Sequence, residues 1–403
     1  MGKQHPRTKE KTGRRVLRRL EMGLIVLAML AVLLMQVSGR VNSYAAEETP
    51  PLAQRSGRVV MYAQDDVRLE LRDEDADKMD QLNYAFALIE NGEATGRHWQ
   101  SIRQVSAYLR RHPEIDGVLS VGGWGAEGFS DACATAAGRE KLADSILSLM
   151  DAHGFVGVDV DWEYPGSGAA GIARRDEDVE NWYQLLALLR QGLDARQEAG
   201  GRDYLLSVAL GAGEEQVKAV DGARLSALVD QAVVMAYDLR GFDRETGHHA
   251  GLYPDGKTRL SGAWAVEAYA ETGLTESKML LGIPLYGRQW RRVPAANDGL
   301  FQRAETSGNK AVTYDEALVM AQEDGVQFYD MDAQAAWLFD GSSFVSYENK
   351  ESMAVKARWV RDGGLLGAAL WSYSQDGTGT LLETLSSGLC PDAPPGASPL
   401  DLT

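Results

Sequence analysis

Eight short apolar segments alternate with helical patterns along most of the chain, and this alternation limits the possible folds more than any other feature. The apolar segments cover residues 59–63, 82–88, 117–121, 157–162, 204–210, 232–237, 279–284 and 367–371. Most are continuously apolar, which is typical of parallel strands covered on both faces. Helical patterns lie between them, for example at 99–111, 138–153 and 180–196. The alternation predicts an α/β fold, a (β/α)₈ TIM barrel.

A doubly wound open sheet is the alternative fold, but no G-x-G-x-x-G motif follows the first apolar segment. The seventh and eighth segments are more than 80 residues apart, a much longer gap than the others. Within that gap, residues 337–340 and 344–347 resemble strands and residues 314–323 a helix. We therefore predict a barrel formed by residues 58–288 and 361–385, with a small α+β insertion, residues 289–360, at its carboxyl rim.

The ends of the chain differ from the rest. Residues 1–20 are basic, residues 22–35 are apolar, and Ser43-Tyr-Ala45 fits a small-x-small cleavage site. This order predicts a signal peptide in residues 1–45 and an extracellular protein, with an uncleaved membrane anchor as the alternative. Residues 46–57 are expected to form a linker and residues 391–403 a loose tail.

Charge and cysteine content limit the possible partners. Residues 1–45 carry nine basic and two acidic residues, so their removal changes the formal charge from −17 to −24. Such a protein repels nucleic acid. Cys133 and Cys390 are too few for a disulfide scaffold, although in an exported chain they could pair. The six histidines show no zinc spacing. We therefore expect no metal ion, no cofactor and no nucleic-acid partner, and we expect a monomer.

The stretch GVDVDWEYPG, residues 157–166, places three carboxylates two residues apart. Alternate side chains of a strand share one face, so Asp159, Asp161 and Glu163 point the same way and Trp162 points to the other side. Facing the helices, the carboxylates would be unpaired buried charges, which are too costly to retain. They are therefore predicted to face the barrel interior, with Glu163 at the rim.

Neighbouring carboxylates at this spacing of about 6.5 Å can share a proton. One of them then stays protonated near neutral pH while another is ionised. A neutral Glu163 at the rim could serve as a general acid. A Ca²⁺ or Mg²⁺ site is the alternative, but it needs further oxygen ligands, and the next residues are Tyr164-Pro-Gly.

These residues carry a resemblance to a known family. GVDVDWE resembles the D-x-x-D-x-D-x-E motif of glycoside hydrolase family 18, the chitinase family, and the resemblance extends over residues 57–380. Further motifs occur in the expected order: Asn83-Tyr-Ala-Phe86, Leu119-Ser-Val-Gly-Gly-Trp124, Met235-Ala-Tyr-Asp238, Pro284-Leu-Tyr-Gly-Arg288 and Trp371, with weaker similarity at Thr246-Gly-His-His-Ala250 and Val345-Ser-Tyr347. The first aspartate of the motif is replaced by Val156, whose parity places it toward the helices.

The resemblance implies a retaining, substrate-assisted glycosidase that cleaves β-1,4 bonds of chitin or chitooligosaccharides. Glu163 would protonate the glycosidic oxygen. Asp161 would orient the 2-acetamido group of the sugar, and Asp159 would exchange a proton or hydrogen bond with Asp161. The tyrosine that holds the acetamido carbonyl would be Tyr237.

The resemblance also implies roles for substrate-binding residues. Trp371 would form the floor beneath the reacting sugar, and Asp238 and Met235 would shape the acetamido pocket. Ser120 and Tyr62 would form hydrogen bonds with the lower aspartates. Tyr286 and Arg288 are expected to contact substrate or to support Asp238. Trp124 and Trp290 are expected to extend the sugar platform. Simple packing is an equal alternative for Met235 and Trp290.

Two other functions remain open at the level of sequence. One is a chitin-binding lectin without turnover, although family lectins usually lose the acid that Glu163 provides here. The other is a relative that acts on N-glycans or peptidoglycan. The Tyr164-Pro-Gly sequence and the long insertion favour the chitinase branch.

Overall fold

The computed structural model describes residues 55–200, 202–323 and 325–391. The predicted signal or anchor segment, most of the linker and nearly all of the tail therefore lie outside the described residues. The strands are β1 (Arg58–Gln64), β2 (Gln81–Glu90), β3 (Glu93–Thr95), β4 (Asp116–Gly122), β5 (Gly157–Asp161), β6 (Leu205–Gly211), β7 (Gln231–Met235), β8 (Met279–Pro284), β9 (Tyr286–Arg291), β10 (Lys310–Thr313), β11 (Val326–Asp330), β12 (Ala335–Phe339), β13 (Ser343–Tyr347) and β14 (Gly367–Trp371).

The strands at the eight predicted positions pair in parallel and close into a barrel. The ring runs β1-β14-β8-β7-β6-β5-β4-β2, and the pairing of β1 with β2 closes it. Each strand agrees with its predicted apolar segment to within two residues at either end. The prediction of a (β/α)₈ TIM barrel is thus confirmed.

Helices follow most barrel strands and cover the outside of the barrel. They are α1 (Ile102–Arg111), α2 (Phe129–Cys133), α3 (Ala136–His153), α4 (Asp178–Gly200), α5 (Glu214–Lys218), α6 (Gly222–Leu228), α7 (Gly262–Glu271), α8 (Tyr314–Glu323), α9 (Lys350–Asp362) and α10 (Thr380–Gly388). In α4, Leu185, Leu189 and Leu193 recur every four residues and are fully buried. No helix among the residues described is long and apolar enough to cross a membrane.

A second, antiparallel sheet lies between β8 and β14 in the chain. Its strand order is β10-β9-β13-β12-β11, and α8 joins β10 to β11. Two elements run across the domain boundaries suggested by the sequence: β9 crosses residue 288, and α9 crosses residue 360. The predicted boundary at residue 288 falls inside β9. It was placed there because Tyr286 and Arg288 match a barrel motif, whereas in the structure they belong to the second sheet.

Side chains divide between two sides of the barrel wall. Trp162 points outward and stacks on Phe129 of α2, with centroids 5.0 Å apart, and Val156 is buried. The interior holds a small apolar cluster: Val60, Tyr62, Ala85, Ala209, Val233, Met235, Leu280 and Ala369. It also holds buried polar side chains, among them Gln81, which accepts a hydrogen bond of 2.8 Å from Gln231.

Candidate active site

The carboxylates of β5 point into the barrel. Asp159 accepts hydrogen bonds from the hydroxyl of Tyr62 on β1, at 3.0 Å, and from Ser120 Oγ on β4, at 2.6 Å. Since β2 and β4 separate β1 from β5 in the ring, the bond from Tyr62 crosses the interior. Asp161, two residues further along β5, lies on the same side of the strand, and Glu163 follows two residues beyond the end of β5, nearer the rim.

Asp161 and Glu163 line a cleft of about 700 Å³ at the carboxyl rim. Burial, together with the charge of Asp238 and against a hydrogen bond with Tyr164, raises the pKa of Glu163 to about 7. Burial, followed by the charges of Glu163 and Asp159, raises the pKa of Asp161 well above its ordinary value. Burial also raises the pKa of Asp159, although its hydroxyl partners oppose the shift. The site can therefore hold a proton at neutral pH.

Gly122 allows β4 to approach β5 closely beside Asp161. Its φ is +113°, and a Cβ at this position would lie 2.2 Å from the backbone oxygen of Asp161. The next residue, Gly123, donates its N–H to that same oxygen at 2.8 Å. The glycine pair thus fixes the backbone that carries Asp161.

Aromatic rings form the floor and one wall of the cleft. Trp371, at the end of β14, stacks on Phe86 at 5.4 Å and lies 5.6 Å from Tyr62. Tyr237 and Met235, at the end of β7, line the same cleft. Met235 also packs in the apolar cluster of the barrel interior, so core packing and a position in the cleft do not exclude each other.

Asp238 is held by Arg288 in a two-point ion pair. Arg288 Nε donates to Asp238 Oδ1 at 2.7 Å, and a second guanidinium nitrogen donates to Oδ2. Burial alone would raise the pKa of Asp238, but His249 and Arg288 bring it well below its ordinary range. The guanidinium lies 5.2 Å from the ring of Tyr286 and 5.3 Å from that of Phe242. Asp238 therefore stays ionised in the cleft.

The two other tryptophans differ in position. Trp124 lines the cleft, is 58% exposed and lies 6.4 Å from the ring of Tyr164. Trp290 is fully buried and packs on Phe344 within the second sheet. The expectation that Trp290 extends a sugar platform is therefore wrong, because its ring is enclosed in the core of the second sheet and does not line the cleft.

Several cleft residues were not singled out from the sequence: Phe86, Tyr164, Ala169, Gln216, Phe242, Asn309 and Gln375. Phe86 ends the Asn83-Tyr-Ala-Phe86 motif and Tyr164 directly follows Glu163, so their places within or beside these motifs could have identified them. The others lie on loops or short helices whose paths no local pattern reveals. In the described part of the chain, no group of three or more His, Cys, Asp or Glu side chains could hold a metal ion.

A closed barrel with an acid of raised pKa just beyond its fourth barrel strand, β5, next to buried carboxylates and an aromatic floor, is typical of a glycoside hydrolase. The family comparison agrees. Residues 58–376 match the family described as "Glycosyl hydrolases family 18", and the chain belongs to this family.

The chain is similar to proteins of known sequence and structure. It is 32% identical to chitinase A1 of Niallia circulans over 328 residues, which are 75% of this chain and 46% of that protein. A family 18 N-acetylglucosaminidase from Paenibacillus barengoltzii has a TM-score of 0.79 and 34% identity, covering 82% of this chain and 99% of that one. A chitinase-like agglutinin from Robinia pseudoacacia has a TM-score of 0.72 and 26% identity, covering 82% and 99%. The chain thus spans less than half of the Niallia protein.

Proposed function

We propose that this protein hydrolyses β-1,4 bonds between N-acetylglucosamine units of chitin or chitooligosaccharides, by substrate-assisted catalysis with retention of configuration. The observation that carries the proposal is that Glu163 lines the same cleft as Asp161 and has its pKa raised to about 7. At that pKa the carboxyl can both donate and accept a proton near neutral pH.

In the first step, Glu163 gives its proton to the glycosidic oxygen, and the bond from that oxygen to the anomeric carbon breaks. The carbonyl oxygen of the 2-acetamido group attacks the anomeric carbon and forms an oxazolinium ion. Asp161 Oδ1 has no hydrogen-bond partner among the described residues, so it is available to the acetamido N–H. An ionised Asp161 there balances the positive charge of the ion.

In the second step, the Glu163 carboxylate takes a proton from water while the water oxygen attacks the anomeric carbon. The oxazolinium opens, the acetamido group is restored and Glu163 is again protonated. Asp159 sets the charge of Asp161 from below, since the charge of Asp159 contributes to the raised pKa of Asp161. Tyr237 holds the acetamido carbonyl through its hydroxyl.

The choice of substrate is supported by the floor of the cleft and by the relatives. The C–H face of a sugar packs well on an aromatic ring, which Trp371 supplies. Two similar proteins are named as a chitinase and an N-acetylglucosaminidase. We also propose that the enzyme acts outside the cell as a monomer, after residues 1–45 have directed its export.

A defined chitin oligomer tests the activity. The wild-type protein is expected to shorten it, with products followed by mass spectrometry. Glu163→Gln is expected to lower the rate by at least about 10³-fold while oligomer binding persists. Glu140→Gln on the exposed face of α3 is the matched control and is expected to keep wild-type activity. Binding without hydrolysis by the wild-type protein would instead identify a lectin.

A second substrate tests the mechanism. An oligomer with free amines in place of the acetamido groups lacks the internal nucleophile and should not be cleaved. NMR of the first-formed anomer should show retention. Cleavage of the deacetylated oligomer at a comparable rate, or inversion, would contradict substrate assistance while leaving the hydrolase assignment intact.

A further inference from the structure

His249 is a buried histidine beside the cleft to which the proposed mechanism gives no role. Its side chain is 1% exposed, and its Nδ1 lies 3.6 Å from Asp238 Oδ1. Neither ring nitrogen has a hydrogen-bond partner among the described residues. A buried polar group without a partner is costly, so a native chain that keeps one at the edge of a cleft requires an explanation.

The backbone of His249 is fixed on both sides. Its N–H donates to Ser346 Oγ on β13 at 3.0 Å, and its carbonyl accepts the N–H of Leu239 at 3.0 Å. Leu239 directly follows Asp238 in the chain. The ring also contacts Tyr286, with centroids 5.4 Å apart. The position of the imidazole relative to Asp238 is therefore set by both the barrel rim and the second sheet.

The charges around His249 are already balanced. Two carboxylates face it, those of Asp238 and Glu348. Arg288 pairs with Asp238, and Lys356 pairs with Glu348 in an ion pair that is 3% exposed on both sides. Because each carboxylate has its own cation, a charged imidazole would be an uncompensated buried charge. Burial accordingly lowers the pKa of His249, and its ring is neutral.

A neutral imidazole has one N–H, and the environment decides which nitrogen carries it. Nδ1 faces Asp238, and an ionised carboxylate can only accept hydrogen bonds, so the proton belongs on Nδ1. The present separation of 3.6 Å is too long for a hydrogen bond. A movement of the Asp238 carboxylate by about 0.5 Å would form the bond, and such contacts in ligand-free sites often tighten when substrate binds.

We propose that His249 is a positioning residue whose neutral imidazole, protonated on Nδ1, directs its N–H to Asp238 and, together with Arg288, orients the Asp238 carboxylate in the occupied cleft. Arg288 on β9 donates to both oxygens of the Asp238 carboxylate, and the buried His249 lies beside Oδ1. The two donors limit the rotation of a carboxylate that lies within the electrostatic range of Glu163.

The state of the ring is tested by ¹⁵N NMR of the protein labelled at histidine, with the His249 signal assigned by its loss in His249→Asn. Between pH 6 and 8 we expect a neutral ring with the proton on Nδ1. On addition of a chitooligosaccharide to Glu163→Gln, the Nδ1 proton should shift downfield as the bond shortens. A charged ring, or a proton on Nε2, would overturn the inference whatever the enzyme hydrolyses.

The kinetic role rests on the proposed function and is tested by a double-mutant cycle. His249→Leu is expected to lower kcat/KM about tenfold, since small errors of position are costly in an active site. In an Asp238→Asn background the same change should lower kcat/KM less than twofold, because the group it positions has lost its charge. An equal loss in both backgrounds would show a purely structural role.

The neighbouring His248 is the matched control. It pairs with Asp330 at 3.0 Å and contacts Trp337 within the second sheet, away from the cleft. His248→Gln is expected to change kcat/KM less than twofold. If His249→Leu does not fold, His249→Asn takes its place in the cycle, and the NMR measurement on the otherwise unaltered histidine still decides the question.

Discussion

Replacing Glu163 by glutamine is expected to stabilise the folded protein at alkaline pH. Burial raises the pKa of this carboxyl from 4.5 to about 7. Between those two values the folded protein still holds a proton that the unfolded chain has released. The stability linked to Glu163 is therefore complete below pH 4.5 and is lost as the pH rises through about 7.

The size of the effect follows from that difference in pKa. At about 1.4 kcal/mol for each tenfold change, the shift corresponds to about 3 kcal/mol of unfolding free energy lost above pH 8. Glutamine cannot ionise and avoids this loss. The charge of Glu163 also raises the pKa of Asp161, so its removal acts in the same direction there. For a domain of this size, 3 kcal/mol corresponds to a rise in Tm of about 4 °C.

The assay is thermal unfolding followed by circular dichroism at pH 4.5 and pH 8.5. The Tm of Glu163→Gln should exceed that of the wild type by about 4 °C at pH 8.5 and by less than about 1 °C at pH 4.5. The exposed Glu140→Gln should change neither value. The same difference at both pH values, or a less stable variant at pH 8.5, would refute the argument that the fold disfavours the ionised carboxyl.

Three further predictions concern the site. The kcat/KM of the wild-type enzyme should fall on an alkaline limb near pH 7, because the proposed acid is the protonated form of Glu163. Asp238→Asn should move that limb to lower pH, and an unmoved limb would contradict the electrostatic role of Asp238. Gly122→Ala should lower the unfolding free energy, measured by urea denaturation, by about 2 kcal/mol or more, because its φ is positive and the new Cβ would meet the backbone of Asp161. The control Gly92→Ala also has a positive φ, but its Cβ meets nothing within 4 Å, so it should lose about 1 kcal/mol. Equal losses would argue against the close approach at Gly122. Trp371→Ala should lower kcat/KM on a chromogenic chitotrioside by about 10²-fold, whereas Trp371→Phe should retain most of the wild-type kcat/KM. An unaffected alanine variant would show that sugar does not stack on this ring.

The barrel could be predicted from the sequence because its determinants are local. Each strand is a short apolar run buried on both faces, and the alternation of β5 fixes which way Asp159 and Trp162 point. The second sheet was predicted only in part. The strand Val326–Asp330 has no buried residue, and Lys310–Thr313 has only four residues, so neither leaves an apolar signal.

The shape of the cleft was harder to predict from the sequence, for a different reason. Phe242, Gln216 and Asn309 converge through loops and short helices whose paths depend on the whole fold. His249 illustrates the same limit, because its sequence shows a histidine in a weak motif but not the paired charges that keep its ring neutral. Trp290 was misjudged because an aromatic residue near a motif can serve the core of either sheet.

The connection between the barrel and the second sheet has a practical consequence. Only Leu285 separates the end of β8 at Pro284 from the start of β9 at Tyr286, and Arg288 on β9 grips Asp238. The second sheet therefore cannot be removed as an independent module, because the loss of β9 would leave Asp238 without its cation and remove Tyr286 from the cleft lining. Designs that change the cleft should therefore keep β9, whereas β11 and β12 contribute none of the described residues that line it.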